Sequence, residues 1–128
     1  MSLFKSLQNS PRIISVFTHD VGFKPASSIL QELRADQNPK FDIEVHTKFP
    51  TLDQLKYMQT INASLVGKQV PHLGTLLTKS SSNSVFGQDL GDSVKAGNWN
   101  SKTALWVDWE KKKMGTDAQS VEKALRPQ

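Results

Sequence analysis

The sequence contains no cysteine. This absence excludes disulfide bonds, cysteine-ligated zinc, iron-sulfur clusters and every mechanism in which the chain itself supplies a thiolate nucleophile. Any thiol chemistry at this protein therefore has to use a thiol from another molecule.

Histidine and long apolar runs are also scarce. His19, His46 and His72 lie far apart, and none belongs to an H-x-x-x-H or H-E-x-x-H pair, so we expect neither a metal nor another resident cofactor. No segment has the eighteen or more consecutive apolar residues of a membrane-spanning helix, and we therefore expect no such helix. The net charge of +4 and the pI near 9.4 permit weak attraction to nucleic acid or anionic lipid without indicating either.

The composition that remains is that of one globular domain. The chain has 128 residues, of which 37% are hydrophobic and 22% charged, which suffices for a single core. Residues 1–12 differ from the rest, since they contain Lys5, Arg12 and three serines but no acidic residue. They have two interpretations, an import signal or an N-terminal helical turn on the domain, and residues 13–128 form the domain itself.

The first part of the chain predicts a β-α-β unit. Residues 13–18 form a nearly continuous run of β-branched and aromatic residues, which indicates a central strand. Pro25 fits the first turn of a helix that we expect to end before Pro39. Residues 41–46 alternate between apolar and polar, which predicts a half-exposed strand. The buried face of that strand would contain Phe41, Ile43 and Val45.

The middle of the chain predicts helices joined by a loop. Thr51 and Gln54 have the spacing of a capping box, which would start a helix. Residues 75–84 are rich in turn residues and indicate a surface loop. Residues 89–96 fit a short helix that Gly97 would end.

The last part predicts a β-hairpin followed by a helix. Residues 103–109 give the strongest strand signal of the sequence. The lysines at 111–113 fit an exposed hairpin end before a short return strand at Met114, and their alternative interpretation is a basic contact for phosphate. A second capping box, with Thr116 as its cap, would open the last helix.

This order of elements predicts an α/β fold with a mixed central sheet, built from a β-α-β unit, helices and a β-β-α unit. Thioredoxin-like domains have the same order. A flavodoxin-like domain would need further parallel strands, and a four-helix bundle has no place for the two strong strand signals.

A ligand site in such a fold is expected where the first strand ends and the first helix begins, because a helix start offers unpaired amide donors and a partial positive charge. The candidate ligand-binding residues there are Asp20, Lys24, Ser27 and Ser28, which would suit a small acid. The two serines also fit helix caps, since no base is placed to activate them as nucleophiles. His19 beside Asp20 does not indicate a catalytic triad, because neighbours at a strand end point to opposite faces.

The three tryptophans could in principle stack on nucleic-acid bases. We interpret Trp99, Trp106 and Trp109 as core residues instead. Because the basic residues are scattered and no nucleic-acid-binding motif accompanies them, we do not expect nucleic acid as a partner.

Several motifs extend over nearly the whole chain, and the most specific is residues 104–110, Ala-Leu-Trp-Val-Asp-Trp-Glu. The others are Pro11-Arg12 with residues 14–18, Phe49-Pro50-Thr51 with Asp53-Gln54-Leu55 and Tyr57-Met58, and Phe86-Gly87 with Asp89-Leu90. Together they resemble the small fungal mitochondrial redox proteins, a family with a thioredoxin-like fold. The resemblance implies a mitochondrial location, a transit peptide at the N-terminus, and an oxidoreductase role in reducing small toxic molecules.

Ser93 is the position at which the sequence departs from that family. The resemblance aligns the family cysteine with Ser93, and only the resemblance makes this residue a candidate catalytic position. From its own context we interpret Ser93 as a serine on a helix surface. Two hypotheses remain: an enzyme that reduces a small-molecule substrate with electrons from a thiol donor such as glutathione, or a redox-inactive binding or adaptor module that holds an acidic ligand.

Overall fold

A computed structural model describes residues 12–35 and 41–125. The predicted N-terminal segment, residues 1–12, lies outside these residues except for Arg12, which is the first residue of the first strand. In chain order the elements are β1 (Arg12–Phe17), α1 (Lys24–Arg34), β2 (Phe41–His46), α2 (Leu52–Gln69), α3 (Leu73–Leu76), α4 (Leu90–Lys95), β3 (Leu105–Asp108), β4 (Lys113–Gly115) and α5 (Ala118–Leu125).

The four strands form one mixed sheet in the order β2-β1-β3-β4. β1 and β2 are parallel and α1 connects them, so the predicted β-α-β unit is confirmed. β3 is antiparallel to β1, and β4 pairs antiparallel with β3 as the second strand of a hairpin. Within the described residues, the structure is therefore an α/β fold with a four-stranded mixed sheet and five helices.

The helices cover both faces of the sheet. Ile14 of β1 packs in one core with buried residues of α1 and α5, whereas Phe17 packs in a second core with α2, α3 and α4. Because side chains alternate along a strand, β1 contributes to both cores. Trp106 is buried in the first core and Trp99 and Trp109 in the second, which confirms their interpretation as core residues.

The edge strand β2 is less buried than its alternation predicts. Phe41 is buried and Ile43 half-buried, but Val45 is 38% exposed, so the prediction that Val45 is buried is wrong. The reason is geometric, since β2 is the last strand of the sheet and α1 leaves an open groove of about 890 Å³ next to Val45 and Leu30.

The start of α2 is the predicted capping box. Thr51 Oγ1 accepts a hydrogen bond from Gln54 N at 3.1 Å, and Gln54 Oε1 accepts one from Thr51 N at 2.9 Å. Asn62 interrupts the helix with φ −157° and ψ 88°, and its Oδ1 accepts a hydrogen bond from Leu65 N. Gly97 follows α4 with φ +81°, the conformation expected of a glycine that ends a helix.

The cap of α5 lies one residue later than predicted. Asp117 Oδ1 accepts from Ser120 N at 2.7 Å, and Ser120 Oγ lies 3.4 Å from Asp117 N. A carboxylate is a stronger acceptor than a hydroxyl for the amides of a helix start. Asp117 therefore takes the capping position, and the prediction of Thr116 is wrong.

The remaining connections agree with the sequence in outline. The loop predicted over residues 75–84 begins inside α3 and then continues as turns. Residues 111–113 form the exposed end of the β3–β4 hairpin, and Met114 lies in β4 as predicted. In the part of the chain that the structure covers, no helix combines the length and the apolar character needed to cross a bilayer.

Candidate functional site

The loop between β1 and α1 is fixed by its own hydrogen bonds. Asp20 Oδ1 accepts from Gly22 N at 2.9 Å, and the Asp20 carbonyl accepts from Phe23 N at 3.1 Å and from Thr18 Oγ1 at 2.9 Å. Asp20 thus organises a tight turn, which is a common role of aspartate in loops. This turn places the first residues of α1 at the end of the sheet where β1 ends.

The first turn of α1 has no side chain as a cap. Phe23 occupies the capping position, and it makes no side-chain hydrogen bond to the helix start. Ser27 Oγ donates to the Lys24 carbonyl at 3.0 Å, so this hydroxyl does not accept from the amides of the first turn. The interpretation of the serines as caps is therefore wrong. Pro25 has no amide hydrogen, and Phe23 N already donates to a carbonyl of the preceding turn. The amides of Lys24 and Ala26 are therefore the donors that this helix end leaves for other acceptors.

A cleft of about 390 Å³ lies at this helix start. Its walls come from three parts of the chain: the start of α1, the segment before β3 and the start of α5. The cleft is lined by Lys24, Pro25, Ser28, Lys102, Thr103, Thr116, Asp117 and Ala118.

The charge of the cleft is mostly positive. Lys24 and Lys102 are exposed and contribute one ammonium group each, and the start of α1 adds a partial positive charge. The one carboxylate in the lining, Asp117, already accepts the Ser120 amide at the cap of α5. The cleft therefore offers donors and cations to a small anion.

Gln69 fixes the wall that carries Lys102. Its side chain is only 1% exposed. Its Nε2 donates to the carbonyl groups of Asn100 at 2.9 Å and Thr103 at 3.3 Å, and its Oε1 accepts from Thr103 Oγ1 at 2.6 Å. These bonds tie the segment before β3 to the end of α2, so that Lys102 and Thr103 have a defined position in the cleft.

The predicted ligand-binding residues are only partly brought together. Lys24 and Ser28 line the cleft, whereas Ser27 lines the open groove on the β2 side of α1. Asp20 lines neither the cleft nor the groove, and its hydrogen bonds stabilise the turn before α1. His19 packs its ring against Phe23 at 4.9 Å between centroids, and it does not form a triad with Asp20 and a serine.

Ser93 is buried, with 0% of its surface exposed. Its Oγ lies 3.2 Å from the Asp89 carbonyl and 3.4 Å from Gln88 Oε1, and donates to these acceptors. The interpretation of Ser93 as a helix-surface residue is therefore wrong. α4 contributes Leu90 to the core opposite α1, so Ser93 and the α1 cleft belong to different faces of the sheet.

Sequence reasoning missed half of the cleft. Lys102, Thr103 and Asp117 are far from the first helix in sequence, and no local motif marks any of them as ligand-binding. The available signal was topological: a segment that enters a strand antiparallel to β1 has to start near the end of β1 where α1 begins. Among the described residues, no group of three or more His, Asp or Glu side chains is placed to hold a metal ion.

The chain is similar to several fungal proteins along nearly its whole length. It is 48% identical over 126 residues to a protein of Candida glabrata, which covers 98% of both chains. It is 45% identical over 125 residues to one of Eremothecium gossypii (98% of this chain, 94% of the relative) and 39% identical over 127 residues to one of Kluyveromyces lactis (99% and 98%). Each relative is named "Putative redox protein FMP46, mitochondrial".

A solved structure is similar as well. The solution NMR structure of protein YKR049C from Saccharomyces cerevisiae matches with a TM-score of 0.57 and 40% identity, over 98% of this chain and 97% of that one. The names of the relatives confirm the mitochondrial location and the resemblance to fungal redox proteins. A family model described as "Protein of unknown function (DUF1687)" matches residues 4–117, and the chain therefore belongs to that family.

Proposed function

We propose that this protein is a mitochondrial domain of thioredoxin-like fold that binds a small acidic molecule in the cleft at the start of α1. The observation that carries the proposal is the cleft itself, where Lys24 and Lys102 line one space at the start of α1, a helix end without a side-chain cap. A small carboxylate or a thiol peptide such as glutathione has the charge that these groups favour.

The thioredoxin-like part of the proposal is supported by the order of the elements. A β-α-β unit precedes the helices, and a β-β-α unit ends the chain. The sheet is mixed, with β1 and β2 parallel and with β3 antiparallel to β1. This is the order on which the sequence-based expectation of a thioredoxin-like domain depends.

Binding without chemistry by the chain itself is favoured by the residues of the cleft. The chain has no cysteine, so the helix start cannot stabilise a thiolate of its own. Ser28 is the only serine in the lining, and no histidine or other base lines the cleft with it. A serine without a base is a weak nucleophile at neutral pH.

The proposal is tested by a thermal shift titration with reduced glutathione. At a ligand concentration ten times Kd, binding to the folded state alone adds about 1.4 kcal/mol, which corresponds to a rise in Tm of about 5 °C for a domain of this size. Lys24→Gln and Lys102→Gln should each reduce this rise. Lys79→Gln is the matched control, because Lys79 is exposed and lies outside the cleft lining.

Two outcomes would contradict this proposal. One is a rise in Tm that Lys24→Gln and Lys102→Gln leave unchanged, which would place the ligand elsewhere. The other is the absence of any rise with glutathione, its disulfide or a small dicarboxylate.

A second candidate function is an oxidoreductase that uses an external thiol, and it is favoured by the names of the relatives. Two glutathione thiols would supply two electrons and leave as the disulfide while the bound small molecule is reduced. The test is glutathione-dependent reduction of a small disulfide by the wild type and by Ser93→Cys. Since position 93 is fully buried, a thiol there should remain protonated and inert, and activity of Ser93→Cys alone would instead favour the family cysteine as catalytic.

We further propose that residues 1–12 contain the import segment and that Arg12 stays in the mature chain. Arg12 Nε lies 3.1 Å from Asp108 Oδ2, and Asp108 is only 1% exposed. A cut after Arg12 would leave a buried carboxylate without its cation, which costs several kcal/mol. The N-terminal mass of the protein isolated from mitochondria tests this, and a mature chain that begins after Arg12 would contradict it.

A further inference from the structure

A third cavity lies at the β4 edge of the sheet, opposite the β2 edge. It is a groove of about 330 Å³ between α2 and α5. We call it the β4 groove. It is lined by Ile61, Asn62, Trp106, Lys112, Lys113, Met114, Ser120, Lys123 and Ala124.

The β4 groove has three cations and no carboxylate in its lining. Lys112 and Lys113 come from the hairpin, and Lys123 comes from α5, so two elements bring these lysines together. All three are exposed. Lys113 Nζ donates to the Ala124 carbonyl at 3.3 Å, which holds this ammonium group at the end of α5. The mutual repulsion of these charges favours an anion among them.

Lys112 has a backbone conformation that favours glycine. Its φ is +55°, in the left-handed region, where a residue with a Cβ atom costs roughly 1 to 2 kcal/mol. Glycine or asparagine would satisfy the hairpin at lower cost. A lysine at this position is not explained by the turn, and such local strain is typical of residues that contact a ligand.

The floor of the β4 groove is apolar and fixed. Trp106 is buried, and its Nε1 donates to Ser120 Oγ at 2.8 Å, which sets the orientation of the ring. Ile61 and Met114 are half-buried and pack against the core. The groove thus combines an apolar floor with a cationic rim.

We propose that the β4 groove binds an organic phosphate. The phosphate lies between the ammonium groups of Lys112, Lys113 and Lys123, and the apolar part of the ligand lies against Ile61 and Met114, the half-buried apolar residues of the lining. A phosphate monoester carries close to two negative charges at neutral pH and accepts several hydrogen bonds, which suits three lysines that line one groove better than a carboxylate does. This site is separate from the α1 cleft and does not depend on the function proposed there.

Phenyl phosphate is the probe for the soluble form of this chemistry, because it joins one apolar ring to one phosphate monoester. Isothermal titration at low salt should show binding that Lys112→Gln and Lys123→Gln each weaken about fivefold, with Lys79→Gln as the matched control. Benzoate, which has the ring and a single charge, should bind more weakly. The affinity should fall as the salt concentration rises from about 50 to 200 mM.

Lys112→Gly separates ligand binding from the stability of the turn. This substitution removes the charge and also relieves the left-handed backbone strain, so Tm should rise while the affinity for phenyl phosphate falls. A lysine that only solubilises the hairpin would show the rise in Tm with no loss of affinity, and that result would overturn the proposal.

A lipid headgroup is the other source of a phosphate monoester. Vesicles of phosphatidylcholine with about 30% phosphatidic acid, compared with phosphatidylcholine alone, test it by flotation. Binding to phenyl phosphate or to these vesicles supports the site if the Lys112 and Lys123 variants weaken it, and the two arms tell the sources apart. The proposal is overturned if neither probe binds, or if Lys24→Gln weakens binding and the groove variants do not.

Discussion

Replacement of Gln69 by methionine should destabilise the protein and loosen the wall of the α1 cleft. The Gln69 side chain makes three hydrogen bonds, of which those at 2.6 and 2.9 Å are short and the one at 3.3 Å is long. Methionine has a similar volume, so the change removes the bonds without opening a large cavity. A net value of about 1 kcal/mol for each short bond, with a smaller cost for the partner groups left unpaired, gives about 2 to 3 kcal/mol.

Urea denaturation measures this cost as a shift of the midpoint at unchanged slope. Thr103→Val removes the hydroxyl that donates to Gln69 Oε1, and the double variant completes a thermodynamic cycle. Because the two side chains contact each other directly, the double variant should lose about 1 kcal/mol less than the sum of the single variants. Thr60→Val is a suitable control, since Thr60 Oγ1 bonds only within its own exposed helical turn.

The same variant links the fold to the proposed site. If Gln69 holds Lys102 and Thr103 in the cleft, Gln69→Met should weaken glutathione binding even at temperatures where the protein remains fully folded. A loss of stability below about 0.5 kcal/mol, or additive effects of Gln69→Met and Thr103→Val, would refute the inference that the Gln69 side chain stabilises the fold through its bond to Thr103. Unchanged binding would refute its role in positioning the cleft wall.

Three further predictions concern single contacts. Asp108→Ala should lower the free energy of unfolding by about 3 kcal/mol in urea, because it leaves the Arg12 guanidinium without its buried partner, and a loss below about 1 kcal/mol would contradict this. Thr51→Ala should cost about 1 kcal/mol by the same measurement, whereas Thr51→Asp should retain the cap and most of the stability. Gly115→Ala should unfold or strongly destabilise the protein, since the added Cβ would meet Ser120 Oγ and lie 2.7 Å from Trp106 Nε1. Thermal unfolding followed by circular dichroism measures the effect, and an unchanged Tm would disprove the prediction.

The secondary structure could be predicted where local patterns decide it. Pro25 at the start of α1, the capping box at Thr51 and Gly97 after α4 are all found at the expected positions. Each of these signals depends on residues within one turn of the helix that they begin or end. The β-α-β unit and the β3–β4 hairpin follow from the same signals together with short connections, whereas the pairing of β3 with β1 does not, because residues 47–104 separate β2 from β3.

The failures occur where the outcome depends on which element lies next to a residue. Val45 has the alternation of a buried residue, but its exposure is decided by the edge position of β2 and by the distance to α1. Ser93 is polar and near a helix end, yet α4 packs this face onto the core and its Oγ bonds within the helix. The interruption of α2 at Asn62 could not be predicted either, since the spacing of apolar residues alone does not indicate it.

Both candidate sites join residues that are distant in sequence, and this limits what the sequence can predict about function. Lys24 becomes part of a cationic cleft because β3 runs antiparallel to β1 and carries Lys102 to the same end of the sheet. Lys112 and Lys123 line one groove because the β3–β4 hairpin lies at the edge of the sheet where α5 packs. In each case, one lysine taken alone is an ordinary exposed residue, and only the topology of the sheet makes the pair a candidate anion site. We therefore expect that Ser28→Lys, which returns a charge to the cleft lining, restores more of the binding lost in Lys24→Gln than Gln119→Lys, which adds a lysine at an exposed position outside the lining.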